Sequence, residues 1–512
     1  MISYAELTLP ERTLWDAFPE GRRVDLRPAG RAVVDIDTGG RWGPARTVRG
    51  DVITSLLLGA NPARPGSSAS LRLAGARITG SLNLAGADVG YLVCAEECWF
   101  DEGVDLLGAS MRSLVLTGCK LPGLEADSAR FEGNVDLRRS LLESLASSAF
   151  NDVPTALSLS DARVAGGLLL NGARLNAPGG LAMAAGGLAV QGALYGNRGF
   201  HARGTIRLAG SQLSRGLYLR GSRLDDPGPG GVALDLNNAV LSRLDCSDGF
   251  TAGGTVKLRR TQILDKVSFA GATVHTAADG AVPAVQCQHM QAVDADLTFA
   301  RPPAAAVDLR GAQVSYLTDS AQSWPPVVAL EGFVYGSLKD AGVGEGRDSP
   351  GHRVAWIRRS PRYSPQPYEQ LAIWYRTIGH DGDARRVLLA RQRHRRSTLS
   401  WPARAWGHLL DVTVGYGYRP WLAGLWLLAL SILGTGVFST NTPTPVKAGE
   451  GAPFQPLVYT LDLLIPIGGL GQRSGWYWPN TGPQCLVYVL IASGWVLTTA
   501  GLAGLTRALQ KN

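Results

Sequence analysis

The chain has 512 residues, 45% of them apolar, and 64 glycines. That apolar content excludes a disordered protein, the length allows more than one structural unit, and glycine well above its usual share of about 7% points to many turns or close backbone approaches. The net charge of +8 comes almost wholly from arginine, the lysines being Lys120, Lys257, Lys266, Lys339, Lys447 and Lys511; such a balance fits nucleic acid or an anionic membrane surface until the arginines are placed.

Residues 1–66 read as a helical N-terminal cap. In "TLPERTLWDAFPEG" Thr8 is an N-cap candidate with Pro10 in the first turn, and "RTVRGDVITSLLLGAN" puts Val48, Val52, Ile53 and Leu56 on one side of a second helix that stops at Gly59. The opening residues lack a basic-then-apolar signal peptide, so the large N-terminal part is expected in the cytoplasm.

From 67 to 337 the sequence repeats itself. "LRLAGARITG" at 71 and "LNLAGADVG" at 82 return as "VDLLGAS" (104), "LYLRGSRL" (217), "LDLNNAVL" (234) and "VDLRGAQV" (307). Each unit carries two alternating apolar residues, a small one, then another apolar one. The alternating pair makes a short strand with one face inward, the small residue permits a corner, and no unit buries its own face, so units must stack. The expected fold is mainly β: a right-handed β-solenoid with two units, roughly 20 to 22 residues, per coil. A leucine-rich repeat fits less well, because the spacing is too short and no asparagine ladder appears. DNA mimicry needs an acidic face, whereas Arg207, Arg220, Arg223, Arg259 and Arg260 are mixed with aspartates here.

Cys94, Cys98, Cys119, Cys246, Cys287 and Cys485 form no C-x-x-C pair and read as reduced thiols; Cys287 and His289 are close but lack a further ligand. No catalytic, cofactor-binding or metal residue is expected.

Residues 338–366, rich in Gly, Pro and Ser, read as a linker. Residues 367–400 read as a helix hairpin with a basic end: Tyr368, Leu371, Ala372 and Tyr375 share a face, Gly379 ends the first helix, Asp381 or Asp383 starts the second, and Ala384, Leu388 and Ala390 follow. The pattern resembles one tetratricopeptide unit. It ends in Arg385, Arg386, Arg391, Arg393, Arg395 and Arg396, followed by Arg404.

Residues 401–420 form an interfacial segment with Trp401, Trp406, Leu409 and Leu410. Within it "TVGYG" (413–417) matches the potassium-channel filter letter for letter, but no membrane helix and pore helix precede it. It is expected to be an elbow where the chain enters the bilayer, with Tyr416, Tyr418, Arg419 and Trp421 in the interfacial belt. Residues 421–440 and 485–507 are long and apolar enough to span, and Ser431/Thr435 and Ala500/Gly504 offer small surfaces for close approach. The arginine run precedes the first span, and Arg507 and Lys511 follow the second in a path ending with the tail 508–512, so both termini are expected in the cytoplasm, at an inner membrane with an anionic inner leaflet. That location accounts for the charge without nucleic acid. The connection 441–484 contains an apolar run, 454–472, interrupted by Asp462 and Pro466. It is a candidate pore segment with Gly468, Gly469 and Gly471, or a helix lying in the interface with Asp462 facing water.

The order of "LWDAFPEG", degenerate "LxLxGAxxxG" repeats, "YEQLAIWYRTIGHDGDARRVLLARQRHRR" and "GWVLTTAGLAGLTRAL" resembles a bacterial family of membrane-associated pentapeptide-repeat-like proteins, over nearly the whole chain. Because solenoids of this kind usually serve as scaffolds or binding surfaces, the expected function is a non-catalytic, membrane-anchored scaffold that binds a protein partner on the solenoid and is capable of homo-oligomers. The alternatives are a two-span pore subunit and, by the label some members carry, a membrane-associated oxidoreductase; no residue of this chain supports the label.

Overall fold

The structure, a computed structural model, describes residues 2–28, 35–144, 153–228, 230–275, 282–340, 349–417, 421–447, 452–466 and 469–509. It divides into two compact units, residues 1–370 and 371–512.

The first unit is a parallel β-solenoid of about 11 turns, with helices at either end of its sequence. Register shows what the repeats do. Val93, Leu114, Val135, Leu168, Leu194, Leu217, Leu244 and Val267 pair from coil to coil as one column. All of them are buried. Each is the inward residue of an alternating strand, and each covers the one before it, a gain of about 1.5 to 3 kcal/mol per side chain relative to exposure.

Corners join the two sheets, and at each the chain turns through a residue with positive φ. One such column runs from Gly86 (φ 68°) through Ser128, Asp161, Asn238, Arg260 and His289 to Gly311 (φ 66°). The backbone N–H of each corner residue donates to a carbonyl on the next coil, as in Gly86 to Leu107 (2.7 Å), Asn238 to Arg259 (2.9 Å) and His289 to Arg310 (2.9 Å). The corner alanines that follow (Ala109, Ala129, Ala162, Ala239, Ala312) are fully buried. A larger inward residue at those points would have to displace the narrow interior. This is the physical content of "GA" in the repeat.

A second signal is the Asn or Asp that often follows the first apolar residue. Asn83, Asp105, Asp136, Asp235 and Asp308 each accept the N–H two residues on, at 3.0 to 3.1 Å. These Asx turns end the strand and start the corner.

The lead-in joins the sheets directly. Val24–Asp25 pairs in parallel with Leu73–Ala74, and Thr47–Arg49 pairs with Arg77–Thr79. Helix α1 (Leu9–Ala17) begins at Thr8 with Pro10 in its first turn, as expected from sequence, and α2 (Gly50–Leu57) buries Val52, Ile53 and Leu56. Glu11 of α1 is buried and receives Arg49 through Nε (2.8 Å) and Nη2 (2.8 Å), plus the N–H groups of Thr8 (2.9 Å) and Arg49 (3.0 Å). Burial alone pushes its carboxyl up; the bonds from Arg49 and the backbone outweigh it and hold the group at about 2.

The stretch read as a linker contributes a packed element. Helix α3 (Pro350–Ile357) starts at Ser349, whose Oγ accepts the His352 N–H. It carries Arg353, fully buried, onto Asp319 (2.7 Å) between the rings of Trp324 and Trp356. Composition pointed to a loop because Gly, Pro and Ser dominate; the short run "HRVAWI" is the signal it concealed.

Two predictions follow from these pairs. Since the folded pKa of Glu11 lies below its unfolded value of about 4.3, its contribution is complete above that pH and is lost as pH falls toward 2. Acid titration followed by circular dichroism should show a loss on the order of 3 kcal/mol across that window, largely absent in Glu11→Gln. Arg353→Ala leaves the buried Asp319 carboxylate with the Trp324 indole N–H (3.0 Å) but without its cation, and thermal unfolding should report a cost of about 3 to 5 kcal/mol.

Candidate functional site

The second unit carries the residues the sequence singled out. Helices α4 (Gln366–Thr377) and α5 (Asp381–Ser397) are joined at Gly379 (φ 80°), where the N–H groups of Gly379 and His380 donate to Arg376 and Tyr375. Glycine is favoured there because the left-handed backbone costs it nothing. Helix α6 (Trp401–Val414) follows.

Part of the arginine run is held by internal bonds. Arg393 donates twice to Asp411, at 3.0 Å from Nε and 3.0 Å from Nη2, and Arg396 adds a third bond at 3.1 Å. One carboxylate thus clamps α5 to α6. Burial pushes the Asp411 carboxyl up, but Arg393 and then Arg396 outweigh it and hold it below its ordinary value. Arg386 pairs with Asp383 (2.8 Å), and Arg404 donates to the Leu399 carbonyl (3.0 Å). Arg395 is exposed and Arg391 half-buried. Trp401 and Trp421 are exposed. Tyr418, Arg419 and Gly468 lie outside the described residues, as does the side chain of Arg507.

The filter-like letters form an elbow. Thr413 and Val414 are the last residues of α6, and Thr413 Oγ1 donates to the Leu409 carbonyl (2.7 Å). Gly415 (φ 53°, ψ 45°) and Tyr416 (φ 53°, ψ 27°) are both left-handed. The sharp change of direction is locked by Trp426, whose indole N–H donates to the Val412 carbonyl (3.0 Å). The Gly415 N–H donates to the Leu410 and Asp411 carbonyls, so the turn closes a helix end.

Helix α7 (Trp421–Thr440) and α9 (Thr481–Leu509, over Thr481–Thr499) are long and apolar enough to cross a membrane. Only 22% of each apolar window is buried within the protein, unlike the core helix of a soluble domain. Leu425, Leu428, Ile432 and Leu433 on α7, and Tyr488, Val489, Trp495 and Val496 on α9, point outward. Contiguous apolar surface of this kind is unfavourable in water.

Between them α8 (Pro456–Leu464) packs against both. A Cβ on Gly434 would lie 2.5 Å from Thr460 Cγ2, and one on Gly494 would lie 2.2 Å from the Leu464 carbonyl oxygen. The sequence pointed instead to Ser431/Thr435 and Ala500/Gly504. Ser431 is buried with its hydroxyl on the Leu427 carbonyl (2.8 Å), the side chains at 500 and 504 are outside the described residues, and among the described residues Gly434 and Gly494 give α8 its close seat. Isolated glycines within "SILGTG" and "IASGW" were the available signal.

Asp462 is neither solvent-facing nor free. It is buried, and its two oxygens accept the backbone N–H groups of Leu470 (2.7 Å) and Arg473 (2.7 Å). Gln472 anchors the same loop to the Pro453 carbonyl (2.9 Å). The carboxylate therefore holds the loop at Leu470–Arg473 against α8, with Gly471 (φ 81°) at the bend and Gly469 exposed. At the other end of the connection Thr444–Pro445 pairs antiparallel with Trp476–Tyr477, Phe438 stacks on Trp478 (4.9 Å), and the Trp478 indole N–H donates to the Tyr459 hydroxyl (3.1 Å). Sequence reading missed this aromatic cluster because its members are spread over three segments.

Elsewhere, burial pushes the thiol of Cys94 up to about 11 and also raises those of Cys119, Cys246 and Cys287. These are poor nucleophiles at neutral pH. Among the described residues no group of three His, Cys, Asp or Glu is placed to hold a metal ion.

Removing the carboxylate tests the loop clamp. Asp462→Ala should raise amide exchange at Leu470 and Arg473 by on the order of 100-fold, the loss of about 3 kcal/mol of charge-assisted bonding, while leaving the solenoid amides unchanged.

Comparison with protein-family models, curated proteins and solved structures finds no match to this chain.

Proposed function

We propose that the protein is a non-catalytic scaffold whose solenoid is held at a cell inner membrane by α7 and α9, spanning it with both termini in the cytoplasm. The observation that carries this reading is the outward apolar surface of α7 and α9, each with 22% of its apolar window buried. The helical backbone satisfies its own hydrogen bonds in lipid, and the connection between the spans folds onto itself through Asp462 and Gln472. Arg391, Arg395, Arg404 and Arg507 precede or follow the spans and suit an anionic leaflet. Within this reading the coils wind right-handed, the pentapeptide-like flank offers the protein-binding surface, the N-terminal helices cover the first coil, and α4–α5 acts as a tetratricopeptide-like joint.

One observation favours a second reading. Helix α8 lies against both candidate spans and is followed by a glycine-containing loop, the arrangement of a pore helix and filter in a two-span channel. A pore of this kind requires a symmetric oligomer. Asp462, spent on two N–H groups of that loop, would then support the loop and not face the ion.

The experiment is the oligomeric state of the full chain in maltoside by native mass spectrometry, followed by planar-bilayer recording. A species without steady current, bound to membranes through alkaline carbonate washing and released by deletion of 371–512, is the expected result. A symmetric oligomer with steady, ion-selective current would replace the scaffold with the pore.

A further inference from the structure

Three successive coils of the solenoid place polar and arginine side chains at one corner. Arg259 and Arg260, then Gln288 and His289, then Arg310 line an open cleft of about 510 Å³ together with Asn237 and Asn238. This is the scale of a small polar ligand.

Arg260 (φ 54°) and His289 (φ 56°) stand in the left-handed corner column, as do Ser128, Asp161 and Asn238, with Gly210, Gly311 and Gly332 on other coils. The side chains of Arg260 and His289 are exposed. The His289 ring lies over Gly311, where a Cβ would come within 2.5 Å of its Nδ1.

Charge points the same way. Arg310 is fixed by Asp308 (Nε 2.9 Å, Nη2 2.6 Å), and Gln288 Nε2 donates to the same carboxylate at 2.6 Å. Glu331 adds a weaker charge beside Arg310. The guanidinium groups of Arg259 and Arg260 have no acidic partner among the described residues. Gln288 Oε1 is buried and unpaired, an acceptor that lacks a donor.

We propose that this corner binds a phosphate ester carrying a neighbouring hydroxyl. The guanidinium groups of Arg259 and Arg260 take the phosphate oxygens, and the hydroxyl donates to Gln288 Oε1. Glycerol phosphate has this chemistry, whether free or as the head group of phosphatidylglycerol.

The full chain in maltoside, at 150 mM salt, is titrated calorimetrically with glycerol 3-phosphate. One saturable site with Kd below about 1 mM is expected, given two charge-assisted contacts. Arg260→Gly relieves the left-handed backbone, so its Tm should hold or rise while affinity falls about tenfold; loss of binding then is not loss of fold. Gln288→Leu should erase the preference for glycerol 3-phosphate over sulfate. Phosphatidylglycerol in mixed micelles that displaces the ester assigns the lipid as the source, and failure to displace it assigns a soluble ester. Absence of saturation with both ligands, or wild-type affinity in the Arg259→Gln/Arg260→Gly double variant, would overturn the site.

Discussion

A single coil of this solenoid has no interior. Leu114 acquires neighbours only because Val93 lies on one side of it and Val135 on the other, in register and each 21 residues away along the chain. Everything else in the first unit serves that register. The left-handed corner residues bring the chain back at the right point, their N–H groups link to the next coil, and the Asx turns end each strand where the corner must begin. A one-residue slip would send the whole apolar column outward.

The second unit answers a different constraint. Its apolar helices cannot be satisfied by water, so close packing and internal hydrogen bonds decide its shape. Gly434 and Gly494 admit α8, Asp462 captures two orphan N–H groups of the loop behind it, and Asp411 takes two arginines from the run that precedes α7. The same residue types that read in sequence as surface charge or a pathway residue are in part internal fasteners.

That difference shows what was legible. The solenoid was visible because its signal repeats: "LxL" with a small residue after it is read again and again, and Thr8, Pro10 and Gly379 are local signals that act where they stand. The elbow at Thr413–Gly417 was legible from context, since no pore helix precedes it. What stayed hidden depends on residues far apart in sequence. The partners of Asp462 lie 8 and 11 residues on, those of Asp411 lie 18 and 15 residues back, and Arg353 meets Asp319 across 34 residues. Charge and composition report such residues as exposed until the fold brings the partner in.

The central claim is that α7 and α9 cross a bilayer and leave the solenoid on the cytoplasmic side. Cys485, near the start of α9, is exposed, whereas Cys98, Cys119, Cys246 and Cys287 are buried in the solenoid. Right-side-out membrane vesicles treated with an impermeant maleimide test it directly. The account predicts labelling of Cys485 from the outer face, abolished by Cys485→Ser. Labelling of Cys485 only in inside-out vesicles would contradict it.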